Sequence, residues 1–140
     1  MWWKLCKVYP RLTGQCKLLM KVIYGAHNFI SGTNRKASNT HLCNMCDRNE
    51  YDTLEHMLFS CPTLEDQRCL LWHDVEKYIP RGLLYELNRL NTKDKTVLLL
   101  SGFNSGYIHE WDDLYVSTLM FIFKLLQIRY KCYHDHLHED

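Results

Sequence analysis

Apolar residues recur three and four positions apart along most of the chain, which is the spacing of an α-helix. In residues 15–30 this pattern predicts a first helix, with Gly25 as its stop or kink. The same pattern predicts short helices over residues 82–91 and 93–101 and a long apolar helix over residues 112–133. No segment has the regular alternation of a strand. The sequence therefore predicts a mainly α fold.

Two further helices in the middle of the chain carry start and stop signals. Asp52 is placed to cap a second helix, with Glu55 reaching back as in a capping box. Pro62 ends this helix, because a proline disfavours helical geometry in the residue before it. Thr63 is placed to cap a third helix, which Pro80 closes.

The longest apolar run lies inside the predicted final helix. Residues 114–128 are fewer than the ~20 that span a bilayer, and Lys124 interrupts them. The first residues are rich in lysine and arginine and have no apolar stretch long enough for the core of a signal peptide. We therefore expect an intracellular protein, in the cytoplasm or nucleus, with no membrane span. Its seven cysteines, an odd number, argue for reduced thiols rather than a disulfide framework.

Charge is distributed unevenly along the chain. The formal net charge is only +1, from 17 basic and 16 acidic residues. However, residues 1–46 hold seven basic residues and no acidic one, so a +7 arm precedes a remainder of −6. Such an asymmetry points to a polyanionic partner for the arm. The basic side chains of the arm are Lys4, Lys7, Arg11, Lys17, Lys21, Arg35 and Lys36.

Aromatic residues are interleaved with these cations. Proteins that bind single-stranded nucleic acid use lysines to neutralise phosphates and aromatic rings to stack on exposed bases. The arm therefore predicts a nucleic-acid contact, with Arg48 as a further cation. An ordinary amphipathic helix with a solvated basic face explains the same composition, and composition does not separate the two. The aromatic residues are Trp2, Trp3, Tyr9, Tyr24 and Phe29.

Four potential metal ligands lie within the nineteen residues from Cys43 to Cys61. Cys43 and Cys46 form a C-x2-C pair, His56 follows on the predicted second helix, and Cys61 ends that helix. Three cysteines and one histidine suit a structural Zn²⁺ ion, because four protein ligands leave no open position for a water molecule. On a regular helix Cys61 would lie about 140° round from His56, so the helix must unwind near Ser60 for both to converge.

Other cysteines and histidines have simpler explanations than metal binding. His41 is expected in a loop, and the tail histidines at a frayed chain end. Cys69 and His73 lie one helical turn apart, where core packing for Cys69 and a surface position for His73 are expected. Cys6, Cys16 and Cys132 have no partner at a metal-binding spacing and are expected to be packing residues. The tail histidines are His134, His136 and His138.

Motifs that would indicate an enzyme are missing from the sequence. Asp112 and Asp113 invite comparison with the paired carboxylates of polymerases, but at this position acidic residues fit the start of the final helix. The chain has no Gly-rich phosphate loop, no G-x-S-x-G elbow and no H-E-x-x-H motif. We therefore expect no enzymatic activity.

The metal-ligand segment resembles the zinc-binding region found C-terminal to the reverse transcriptase of non-long-terminal-repeat retrotransposons. The pattern of that family is a cysteine pair, an acidic-Thr-hydrophobic-Glu-His run, and a Cys-Pro step that ends the helix. Here it is met by Cys43 and Cys46, by DTLEH ending in His56, and by Cys61 with Pro62. The flanking stretches YPRL and TVLLLSG are also similar to the family, although they are less specific.

This resemblance implies a zinc-stabilised helical module that helps a reverse transcriptase hold RNA or target DNA, with the polymerase as a natural partner. The expected organisation is a basic arm and helix over 1–38, a zinc module with its following helix over 39–80, and a helical region over 81–140. We expect a truncated element, a domesticated gene or an excised domain.

Two functional hypotheses follow. The first is a non-catalytic zinc module that binds nucleic acid through its basic arm. The alternative is a protein-interaction or oligomerisation fragment that docks, or associates with a second copy, through residues 112–133.

Overall fold

The computed structural model of the chain describes residues 1–23, 42–43 and 45–138, with side chains as far as residue 132. This part of the chain contains no strand, and its only β pairing is an isolated bridge between Leu42 and Tyr51. The predicted mainly α fold is confirmed. The α-helices are α1 (Trp2–Val8), α2 (Thr13–Ile23), α3 (Glu65–Glu76), α4 (Arg81–Asn88), α5 (Thr92–Leu100) and α6 (Asp112–His138).

Helix α6 is the central helix of the fold. It packs against α2, against α3 and against a helical turn at His56–Ser60. Together with residues of the N-terminal helices and of the metal-ligand segment, it forms one buried hydrophobic core. The apolar surface of the predicted final helix is thus largely used inside the chain. The buried apolar side chains of α6 are Leu114, Tyr115, Leu119, Phe121, Ile122, Leu125 and Leu126.

The backbone of α6 runs to His138, so the histidine tail that was expected to fray is helical. Among the residues that the structure describes, no helix combines the length and the apolar character that crossing a membrane requires. Gly25, the expected stop of the first helix, lies outside the described residues.

Helices α1 and α2 pack on each other, and both belong to the core. Leu5, Leu12 and Leu19 are buried between them and the rest of the chain. Trp2 is only 4% exposed, and its indole Nε1 donates a hydrogen bond of 2.7 Å to the carbonyl of Leu100 at the end of α5. The described part of the basic arm is therefore fixed to the helical core.

Two contacts connect the metal-ligand segment to α6. Asp52 and Arg129 form a buried ion pair, in which the guanidinium Nη2 donates to the carboxylate. Phe59, Trp72 and Phe121 form an aromatic group, with ring centroids 5.7 Å apart for Phe59 and Trp72 and 5.3 Å apart for Trp72 and Phe121. The segment is thus held against both α3 and α6.

A second polar group lies at the start of α6, around the buried carboxylate of Asp112. This carboxylate accepts hydrogen bonds from the hydroxyls of Tyr9 at 2.8 Å and Tyr107 at 2.6 Å, and His109 Nδ1 lies 2.8 Å from it. Burial and the hydrogen bond to Asp112 raise the pKa of Tyr107 to about 12. The hydrogen bond to Asp112 also raises the pKa of Tyr9. We call Tyr9, Tyr107, His109 and Asp112 the Asp112 cluster. Helix α6 begins at Asp112 as predicted, and the hydrogen bonds found for this carboxylate come from side chains.

Candidate metal centre

The first two candidate ligands lie on a short loop that is closed by backbone pairing. Cys43 N–H donates to the carbonyl of Glu50 at 2.8 Å, next to the bridge between Leu42 and Tyr51. Asn49 adopts a left-handed conformation with φ of 55°, which an asparagine tolerates better than most residues and which helps the chain to turn back. This turn keeps Cys43 and Cys46 together on one small loop.

The other two ligands lie at the two ends of a π-helical turn. Cys61 N–H donates to the carbonyl of His56, five residues earlier, at 2.7 Å. Such a turn is wider than an α-helical one, so Cys61 returns towards His56 instead of lying about 140° away. Cys61 itself is extended, with φ of −62° and ψ of 117°, as expected before a proline. The predicted unwinding is therefore found, in the form of a π turn.

The cap of this short helix differs from the prediction. Thr53 Oγ1 accepts the backbone N–H of His56 at 3.2 Å, whereas Asp52 is buried in its pair with Arg129. The expectation that Asp52 caps the helix was wrong by one residue. An aspartate and a threonine are both good caps, and only the partner on α6 decides between them. Thr63 is also not a cap, because no side chain that the structure describes caps α3 or the turn before it, and Thr63 Oγ1 instead donates to the carbonyl of Met45.

The side chains of Cys43, Cys46, His56 and Cys61 converge, with all four ligand atoms within 4.8 Å of one another. The Sγ atoms of Cys43 and Cys61 are 3.9 Å apart, and Cys46 Sγ is 3.4 Å from His56 Nε2. In a tetrahedral zinc site with Zn–S bonds of ~2.3 Å, two sulfurs would lie roughly 3.8 Å apart. The four residues thus fit a metal ion in number, chemistry and spacing.

Burial gives the centre its electrostatic character. Cys43, His56 and Cys61 are buried, and Cys46 is partly buried. Burial raises the pKa of the Cys43 thiol to about 12, so this sulfur is a neutral thiol at pH 7 unless a cation stabilises the thiolate. A metal ion supplies that positive charge and releases the proton.

Glu50 is a functional residue that the sequence did not reveal. Its Oε2 lies 2.8 Å from His56 Nδ1, on the side of the ring away from the cysteines. A histidine that ligates a metal usually donates its other ring N–H to a carboxylate, which orients the ring. Glu50 thereby directs Nε2 towards the cysteine sulfurs. The sequence places Asp47, Glu50, Asp52 and Glu55 between Cys46 and His56, and it gave no reason to choose Glu50, which is six residues from His56.

Helix α3 supports the centre from outside. The guanidinium of Arg68 donates to the carbonyls of Cys61 and Met57, which the end of the π turn leaves available. Burial lowers the pKa of Arg68 from its usual value. Together with the bond from Thr63 to Met45, these contacts fix α3 to both halves of the candidate centre.

The predicted nucleic-acid residues fall into three groups. Arg48 is exposed on the loop between Cys46 and Glu50, while Arg35 and Lys36 lie outside the described residues. The other five cations are all exposed on the N-terminal helices and the turn between them. These are Lys4, Lys7, Arg11, Lys17 and Lys21.

The aromatic residues of the arm do not form one surface. Trp2 is buried, so the expectation that it stacks on a base was wrong. The hydroxyl of Tyr9 is engaged by Asp112, with Arg11 beside its ring. Trp3 is 46% exposed and is the one described member of the set with an exposed side chain, although Lys7 and Lys4 lie over its ring. Tyr24 and Phe29 lie outside the described residues.

The remaining cysteines and histidines stay apart from the centre. Cys16 is buried and Cys6 and Cys132 are partly buried, as packing residues. Cys69 is exposed, so the expected core position was wrong, whereas the surface position of His73 is confirmed. His41 and the side chains of the tail histidines lie outside the part that the structure describes.

In comparisons with known proteins, no family model, no curated protein and no solved structure matches this chain. The site is therefore defined by its own geometry, as a group of three cysteines and one histidine that could hold a metal ion.

Proposed function

We propose that this chain is a non-catalytic zinc-binding module of the retrotransposon reverse-transcriptase type, which binds RNA or DNA through its N-terminal helices. Three thiolates and one imidazole at tetrahedral spacing are a donor set that suits Zn²⁺. In this proposal the ion is structural and holds the π turn against the loop of Cys43 and Cys46. The motif resemblance at Cys43, Cys46, His56 and Cys61 supports the same conclusion.

The charge of the N-terminal helices carries the nucleic-acid part of the proposal. Lys4, Lys7, Lys17 and Lys21 are exposed, and none forms an ion pair with a residue that the structure describes. Unpaired lysines on a fixed helical frame are available for phosphates, and the release of counterions from the phosphates favours binding. Residues 1–46 contain no acidic side chain that would oppose this contact.

The test is a binding assay with the metal-loaded full chain. Affinity for single-stranded RNA, single-stranded DNA and duplexes would be measured by fluorescence anisotropy at several salt concentrations. We expect affinity to fall steeply with salt. The variant with Lys4, Lys7, Lys17 and Lys21 all changed to Gln should lower the slope of log K against log salt by about 3, since each phosphate contact on a single strand contributes roughly 0.7.

A matched control removes cations elsewhere. Arg81 and Lys93 are exposed on α4 and α5, and Arg81→Gln with Lys93→Gln should leave the slope nearly unchanged. An unaltered slope in the four-lysine variant, or an equal loss in the control, would refute the nucleic-acid proposal. Metal analysis tests zinc separately, with one equivalent expected in the purified chain.

The alternative function is docking on a partner through residues 112–133. Less apolar surface is exposed on this helix than the sequence suggested. Most apolar side chains of α6 are buried inside the chain. The apolar surface that remains beside α6 includes Leu70, which is 74% exposed on α3. Self-association stays a prediction, and light scattering of the full chain with and without nucleic acid decides it. A family-type partnership with a reverse transcriptase is tested by co-purification with that polymerase.

A further inference from the structure

A cleft lies where the N-terminal helices meet the end of α5. Its volume is about 250 Å³, and it is lined by Met1, Trp2, Trp3, Met20, Ile23, Leu100 and Ser101. Its walls combine apolar side chains with polar groups, and no carboxylate contributes to them. A cavity of this size, with apolar and polar parts, suits one flat heteroaromatic ring, because such a ring has an apolar face and polar atoms at its edge.

Trp3 gives this cleft an exposed aromatic wall. The neighbouring Trp2 is held in the core by its bond to Leu100, and this contact fixes the part of α1 that carries Trp3. Indole is a large, rigid surface that loses little conformational entropy on stacking. A nucleobase stacked on such a ring is stabilised whatever its sequence, because every base has a π face.

Cations surround the same wall. Lys7 Nζ lies 4.4 Å and Lys4 Nζ 5.8 Å from the centroid of the Trp3 ring. Lys21 follows Met20 on α2 and is exposed. An occupant that stacks on Trp3 therefore meets positive charge at the same indole, and this combination complements a base that is attached to a phosphate backbone.

We infer that the cleft between α1, α2 and α5 takes one unpaired base of a single-stranded RNA or DNA, stacked on Trp3, with the adjacent phosphates at Lys4 and Lys7. This inference rests on the proposed function and adds a preference to it. Bases in a duplex are already stacked on their neighbours and cannot enter the slot. The module should therefore bind single strands more tightly than duplexes of equal charge.

The experiment compares a twelve-residue oligothymidylate with the same strand carrying abasic residues at its centre, using the metal-loaded full chain. Stacking on an aromatic side chain is worth about 1–3 kcal/mol per base, so abasic substitution should weaken binding about 5- to 150-fold. Trp3→Ala should weaken binding of the intact strand by a similar factor and abolish the difference between the two strands. Its salt slope should stay unchanged, because the phosphate contacts remain.

Tyr85 provides a matched control. It is 65% exposed on α4, and Arg89 lies 5.5 Å from its ring centroid, so it is a similar pair of an aromatic ring and a cation away from the cleft. Tyr85→Ala should not change the preference for intact strands. Met20→Trp, which keeps Trp3 but fills the cleft, should reduce binding of the intact strand only.

The outcomes separate the two proposals. Equal binding of intact and abasic strands with a normal salt slope would refute the base slot and leave the proposed function in place. No salt-dependent binding of either strand would refute both. Loss of binding in Trp3→Ala together with a changed salt slope would assign Trp3 to positioning the lysines, and would refute the slot. The inference would be overturned if an apolar peptide or a second copy of the chain occupied the cleft and thymidine did not compete for it. The cleft would then be a binding site for protein.

Discussion

The candidate metal centre and the Asp112 cluster are two polar groups inside one helical core, and they are assembled in different ways. All four candidate ligands come from nineteen consecutive residues, and local turns place each of them. In the Asp112 cluster Tyr107 and His109 are also local, but Tyr9 lies 103 positions away and reaches the carboxylate only in the folded chain. The candidate metal centre is therefore local in sequence, whereas the Asp112 cluster is completed by the tertiary fold.

The largest expected effect comes from removing the metal ion. Structural zinc contributes about 10–16 kcal/mol in zinc-finger peptides, and here it would also compensate for the buried thiols. A chelator, or Cys46→Ser, should expose the amides of residues 54–61 to hydrogen exchange, whereas amides near Asp112 should remain more protected. The exposed cysteine provides the control, since Cys69→Ser should change neither metal content nor exchange. Unchanged exchange over 54–61 after complete metal removal would contradict the structural role.

The next effect concerns the ion pair that joins the metal-ligand segment to α6. Arg129→Met leaves the carboxylate of Asp52 buried without its cation, which should lower the free energy of unfolding by about 3–5 kcal/mol. The double variant Asp52→Asn with Arg129→Met should recover much of this loss, because no charge is then buried alone. Urea unfolding of both variants measures the difference, and a double variant as unstable as Arg129→Met would contradict this explanation.

Breaking the Asp112 cluster should have a smaller effect. Asp112→Asn removes the charge that strengthens the hydrogen bonds from Tyr9 and Tyr107, with an expected loss of up to about 3 kcal/mol. Metal content should not change, since no ligand depends on this cluster. Asp113 is the exposed neighbour, and Asp113→Asn should be nearly neutral in the same urea experiment. Equal losses of unfolding free energy in Asp112→Asn and Asp113→Asn would show that only the negative charge at the start of α6 matters, and would contradict this explanation.

A substitution at Glu50 tests the orientation of the His56 ring separately from the loss of a candidate ligand. Glu50→Gln keeps all four ligands but removes the charge that orients His56, so metal affinity should fall 10- to 100-fold, or about 1.4–2.7 kcal/mol, at unchanged stoichiometry. Competition with a chromophoric chelator measures this affinity. Asp47→Asn, on the same loop but without contact to His56, should leave it unaltered.

The smallest effect is a dependence of stability on alkaline pH. Burial and the bond to Asp112 raise the pKa of Tyr107 from 10.0 to about 12, so the folded chain holds this proton more tightly than the unfolded chain. Stability from this group is complete below about pH 10 and is lost as pH rises towards about 12. Urea midpoints between pH 9 and 11 should fall less steeply for Tyr107→Phe than for the parent chain. Equal slopes would contradict the assignment.

These two groups also show how far sequence reasoning reaches. The ligand set was predicted because its spacing is local and its chemistry is specific to residue type. The Thr53 cap was missed because Asp52, an equally good cap, has a partner 77 positions away. Cys69 was misplaced because an isolated cysteine carries no information about which face of a helix is buried. Glu50 could not be selected because four carboxylates lie between Cys46 and His56, and only the folded loop directs one of them to His56.

The sequence by itself determined the helical fold, the four candidate ligands and the position of the basic arm, because helical periodicity, ligand spacing and charge are properties of neighbouring residues. Only the tertiary structure decided which residues of the arm are available, since Trp2 and Trp3 are adjacent and equivalent in composition. A hydrogen bond to Leu100 and the ring contact with Tyr115 hold Trp2 in the core, and the neighbouring ring is left at the surface. The burial of α6 was also decided by the tertiary structure. The apolar sequence of a helix predicts that it packs against something, but not whether it packs against its own chain or against another protein.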